Sequence, residues 1–149
     1  MRMSRHVKAP RAKVYAALVD ADAVSEWKFP AGMSCHVHDF EGREGGTFRL
    51  SLTYDTPAEA GKTTAHTDTY RGRFVELVPN ERVVEVDEFE TSDPALQGEM
   101  TITWTLVDAG DGTDVTAVHD GVPDAVPAAD NERGFRESLA KLAALVESA

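Results

Sequence analysis

Residues 128–149 read AADNERGFRESLAKLAALVESA. Phe135, Leu139, Leu142 and Val146 recur at helical spacing, and Leu145 widens the stripe. Glu132, Arg136, Glu137 and Lys141 fill much of the opposite face. This is one long amphipathic helix, and its apolar side needs a partner. Most of the preceding chain alternates with the period of a β-strand, so that partner is a curved antiparallel sheet. A sheet that wraps one helix can leave space beneath it. The expected architecture is α+β, with the sheet folded around the closing helix and a cavity between them.

Working towards the N-terminus, Met100, Ile102, Trp104 and Leu106 alternate with polar or smaller residues as a half-buried strand. Asp108 to Gly112 is a hairpin turn, with Thr113 to His119 as the return strand. Arg82 to Phe89, Thr63 to Val78, Thr47 to Tyr54 and Met33 to Phe40 are further strands, and Thr56 to Gly61 is a loop. Gly72 marks a bulge or a point of close contact within its long strand. Residues 2–8 form a first strand. Two short helices follow, one opened by Pro10 with Val14, Tyr15, Leu18 and Val19 as its apolar face, the other capped by Asp22 and carrying Trp27. Gly134 weakens the last helix and is expected to let the sheet approach it.

A chain of 149 residues, 42% hydrophobic and 28% charged, has the bulk of one globular domain over 1–149. No stretch is long and apolar enough to span a bilayer, and the N-terminus does not read as a signal peptide. A formal charge of -11 repels phosphate backbones, so no nucleic-acid partner is expected. Cys35 is the only cysteine, which rules out an intrachain disulfide and fits a reducing cytoplasm.

The element order, together with certain motifs, resembles the helix-grip fold of the START-like, or SRPBCC, superfamily. Within it the chain is similar to the group named for the activator of the Hsp90 ATPase. The motifs are Ala9-Pro10, Trp27, the run from Phe40-Glu41-Gly42 to Phe48, the run from Tyr70-Arg71-Gly72 to Arg82, and Asn131-Glu132-Arg133-Gly134-Phe135. Phe135 stands where family members usually carry Trp. The resemblance implies a ligand-sized cavity without naming a ligand. Its relatives include cyclases and aromatases acting on polyketide-type substrates, and a regulator of a chaperone ATPase. The fold alone does not choose among these.

His66-Thr67-Asp68-Thr69-Tyr70 is the most suggestive constellation. On an extended strand His66, Asp68 and Tyr70 share a face, and if it is the face of Gly72 and Phe74 they meet the cavity. His66 as base, Asp68 as its orienter and Tyr70 as acid would make a proton-transfer site. The same three could simply hydrogen-bond a ligand, or form a solvated strand edge. His36 and His38 are two apart, but histidines at alternate strand positions are more often surface residues than zinc ligands, and no metal or other cofactor is expected. Cys35 reads as a structural thiol. Among the aromatics, Trp27, Tyr54, Trp104 and Phe135, with Leu139, are expected to line the cavity.

The expected function is to hold a small apolar or amphipathic molecule between the last helix and the sheet, with Trp27, Tyr54, His66, Asp68, Tyr70, Trp104, Phe135 and Leu139 around it. The alternatives are a cyclase-like enzyme using the same cavity and an Hsp90-type regulator. A homodimer through a sheet edge or helix face is a further expectation.

Overall fold

The computed structural model describes residues 1–55 and 67–148. The elements run β1 (Arg2–Val7), α1 (Arg11–Leu18), α2 (Ala21–Trp27), β2 (Met33–Phe40), β3 (Thr47–Tyr54), β4 (Thr67–Val78), β5 (Arg82–Phe89), β6 (Met100–Ala109), β7 (Gly112–Asp120) and α3 (Ala128–Glu147). All seven strands form one antiparallel sheet in the order β1-β7-β6-β5-β4-β3-β2. From β2 to β7 each strand pairs with its successor. β1 breaks that order by pairing with β7, so α1 and α2 carry the chain from one sheet edge to the other. This is the α+β helix-grip arrangement: a curved sheet, a long closing helix and two short helices after the first strand.

Period-two alternation decides which side of each strand enters the core. Phe48 and Leu50, Tyr70 and Phe74, Ile102, Trp104 and Leu106, and Val115 and Ala117 are all buried on the concave face. Register breaks between Val37 and Asp39 and between Phe74 and Glu76 interrupt β2 and β4. The irregularity in β4 therefore lies beyond Gly72, which keeps regular pairing with Phe48 and Asp87. What Gly72 permits is close contact. A Cβ there would come within 2.4 Å of both Asp87 Oδ1 and Phe48 Cζ.

Three local expectations change. The cap of α2 is Asp20, whose side chain accepts from the Ala23 N–H at 2.9 Å; Asp22 lies inside the first turn. Gly134 approaches Pro30, just after α2, rather than the sheet: a Cβ there would meet Pro30 Cγ at 3.3 Å. The β6–β7 turn is also tighter than expected, with Ala109 paired to Gly112 and Gly110 at φ +58°. The segment Thr63 to His66 and the loop Thr56 to Gly61 lie outside the described residues.

α3 packs against α1, α2 and β1. Leu139, Leu142, Ala143 and Val146 in its second half are buried. Each large side chain there removes apolar surface worth about 2 kcal/mol, which holds this half firmly in the core.

Candidate ligand-binding cleft

The first half of α3 behaves differently. Asn131, Gly134 and Phe135 are only half-buried, and the residues between them are exposed. A cleft of about 940 Å³ opens there, bounded by α3, the segment after α2 and the concave face of β3 to β7. Its volume lies in the range that small-molecule sites occupy. The walls are largely aromatic and aliphatic. Trp104 stacks on Phe135 with centroids 5.8 Å apart, and Phe135 in turn lies 5.1 Å from the His119 ring.

The floor is polar. Lys28, at the end of α2, places Nζ 2.6 Å from Glu85 Oε2, and Glu85 Oε1 accepts the Trp104 indole N–H at 2.8 Å. Burial by itself would lower the lysine pKa and raise that of the glutamate. Their mutual attraction, helped on the lysine by Asp87, outweighs this, so Lys28 is held above and Glu85 below its ordinary value. Asp87 is the opposite case. Burial first, and then the Glu85 charge, holds it well above the carboxylate range, so it keeps its proton and hydrogen-bonds to Glu85.

Two buried atoms on this floor have no hydrogen-bond partner among the described residues: Asp87 Oδ1 and His119 Nε2. Native proteins leave few such atoms, since each unmade bond costs free energy. His119 is 7% exposed, and burial pushes its pKa down to about 4, so the ring is neutral. Its Nδ1 lies 3.4 Å from Asn131 Nδ2 on α3. The amide donates, Nδ1 accepts, and the ring proton is left on Nε2.

The structure brings most of the sequence-predicted residues to this cleft. Trp27, Tyr54, Asp68, Tyr70, Trp104 and Phe135 all line it. Asp68 and Tyr70 lie on one face of β4, both buried, and the phenol is held well above its ordinary pKa by burial and then by Asp87. Neither indole N–H is left to orient a guest, because Trp27 Nε1 donates to the Ala17 carbonyl at 2.8 Å and Trp104 Nε1 to Glu85. Leu139 sits elsewhere, fully packed in the core beneath the second half of α3. His66 lies outside the described residues.

Lys28, Glu85 and Asp87 were not anticipated. The signal for the two acids was faint: Glu85 and Asp87 share a period-two face with Val83, but Val84 and Val86 make the other face equally apolar. His119 reads in the sequence only as the end of a strand, although it continues the face of Val115 and Ala117. His36 and His38 stack edge to face on the outer side of β2, where His38 Nε2 meets Ser51 Oγ at 2.7 Å. Among the described residues no group of three or more His, Cys, Asp or Glu side chains is arranged to hold a metal ion. Cys35 faces inward from β2, and burial raises its thiol to about 11 despite nearby Lys28. No helix among the described residues is long and apolar enough to cross a membrane.

The sequence profile described as activator of Hsp90 ATPase homolog 1-like protein matches residues 8–147. A search of curated proteins found no match. Among solved structures, a protein from Chromobacterium violaceum is 34% identical with a TM-score of 0.89, the match covering 100% of this chain and 97% of that one. A protein from Rhodobacter sphaeroides is 24% identical with a TM-score of 0.77, covering 97% and 89%. DynU16, a protein of the dynemicin biosynthetic locus, shares the fold at 20% identity and a TM-score of 0.69, covering 99% of this chain and 47% of that one.

Proposed function

The chain belongs to the activator of Hsp90 ATPase homolog 1-like family, and from that premise we propose that it binds a small apolar or amphipathic molecule in the cleft between α3 and the sheet. One observation carries the reading: an apolar cleft of about 940 Å³ whose floor holds two buried polar atoms without partners among the described residues. Apolar walls supply affinity at roughly 25 cal/mol per Å² buried. Polar floor atoms set orientation. The reading includes action in the cytoplasm, which a single free thiol suits, and leaves a homodimer as a further proposal.

Native mass spectrometry of freshly purified protein tests it. A co-purified molecule is expected, and Gly134→Trp, which adds an indole to the cleft wall between α3 and Pro30, should abolish its retention. Retention unaffected by that change would place the molecule elsewhere and end the proposal.

A second reading is a cyclase-like enzyme, favoured by the buried, protonated Tyr70 beside Asp68 on one strand face. In that scheme His66 is the base, Asp68 its orienter and Tyr70 the acid. His66→Ala should then abolish turnover and leave binding nearly intact. A role on a chaperone ATPase rests on the family name alone, and an Hsp90 ATPase-stimulation assay separates it from both.

A further inference from the structure

The charges around the cleft narrow what it can hold. Lys28 is the only cation on the floor among the described residues, and its charge is already taken by Glu85 at 2.6 Å. At the rim, Asp93, Asp130 and Glu137 outnumber Arg133, whose guanidinium lies 3.8 Å from Asp130. A carboxylate or phosphate entering here would lose its hydration, meet net negative charge and find no unpaired cation among the described lining residues. An uncharged guest avoids those costs.

The floor also offers a specific handle. Asn131 occupies His119 Nδ1, Phe135 packs on the ring, and Nε2 keeps its hydrogen with no acceptor among the described residues. Backbone hydrogen bonds to Met1 in both directions hold His119 at the end of β7. The ring is thereby positioned from two sides.

Taking the cleft as the binding site, we propose that it selects an uncharged, ring-bearing ligand and anchors it by an oxygen acceptor (ketone, ether or hydroxyl) on the Nε2–H of His119. Asn131 acts as a positioning residue by setting the tautomer. The aromatic walls of Trp104 and Phe135 favour a flat ring system.

Isothermal calorimetry with naphthalene, 2-acetylnaphthalene and 2-naphthoate tests this on the whole chain. The ketone is expected to bind about fivefold tighter than the hydrocarbon, the gain of one neutral hydrogen bond. The carboxylate is expected to bind at least about tenfold weaker than the ketone. In His119→Phe the ketone-to-naphthalene affinity ratio should fall to about 1, whatever the change in the affinity of naphthalene itself. His119→Gln, whose amide nitrogen reaches near the Nε2 position, should restore it. Equal affinity of ketone and hydrocarbon for the wild-type protein, or preference for the carboxylate, overturns the anchor and leaves the cleft standing. Failure of every compound to bind overturns the cleft reading and this proposal together. The wild-type comparison decides even if a variant does not fold.

Discussion

Lys28 and Glu85 form a salt bridge of 2.6 Å beneath the cleft, with the lysine 9% and the glutamate 1% exposed. They come from the end of α2 and the middle of β5, so the bridge ties a helix to the sheet across 57 residues of sequence. Removing two charges from water is expensive, and such a pair adds little net stability, yet breaking it strands a charge in the interior.

Lys28→Met should therefore cost about 3–5 kcal/mol, because it leaves Glu85 buried and unpaired. Adding Glu85→Gln removes the stranded charge and keeps an acceptor for the Trp104 indole, so the double variant should regain much of the loss. Urea denaturation of the singles and the double measures the coupling. Additive losses would show that the two side chains do not interact as described.

Asp87 predicts a stabilising substitution. Its carboxyl keeps a proton in the folded chain that the unfolded chain releases above its ordinary pKa of 3.8. The folded value is raised, so this contribution to stability is fully present below 3.8 and is lost as pH rises. Asp87→Asn carries a donor to Glu85 without that penalty. It should melt higher than the wild type at pH 8, with the gain shrinking towards pH 4. A variant less stable at pH 8 would mean that Asp87 is ionised in the fold.

His119 gives the opposite slope. Its folded pKa of about 4 lies below the ordinary 6.5, so the unfolded chain binds a proton first as pH falls. Stability from this group is complete above 6.5 and declines down to about 4, by roughly 3 kcal/mol over the whole window. His119→Gln should flatten that part of the stability profile. Parallel wild-type and variant profiles between pH 6.5 and 4 would rule out a neutral buried ring.

Two glycines should respond differently to alanine. At Gly72 the added methyl would lie 2.4 Å from Phe48 Cζ and from Asp87 Oδ1, both packed in the interior, and the overpacking should cost about 1–3 kcal/mol. At Gly134 the nearest atom is Pro30 Cγ at 3.3 Å, and the gain in helix preference is about 1 kcal/mol. Gly134→Ala should leave the melting temperature equal or higher, while Gly72→Ala lowers it by several degrees. Equal responses would remove the close-packing role assigned to Gly72.

The strands and the closing helix were legible because burial imposes a period. Phe48, Leu50 and Leu52, or Met100, Ile102 and Trp104, repeat every second residue, and Leu139, Leu142 and Val146 repeat along a helix. Asp68 and Tyr70 were legible as a same-face pair for the same reason. The inward face of β5 was not: valines occupy both of its faces, and only pairing with β4 and β6 turns Glu85 and Asp87 inward. Leu139 follows the stripe like Phe135, but a helical wheel carries no information about where along its length a helix leaves the sheet.

The amino-acid order alone set the secondary structure, the α+β class and the need for a sheet to cover the closing helix, since these follow from local periodicity and backbone preference. Tertiary structure alone decided that α3 is packed at its C-terminal half and open at its N-terminal half. It also decided that Lys28 after α2, Asp87 of β5 and His119 of β7 share one floor, with Glu85 buried against Lys28 beneath it. Burial and charge pairing depend on neighbours distant in the chain, and no local pattern records them.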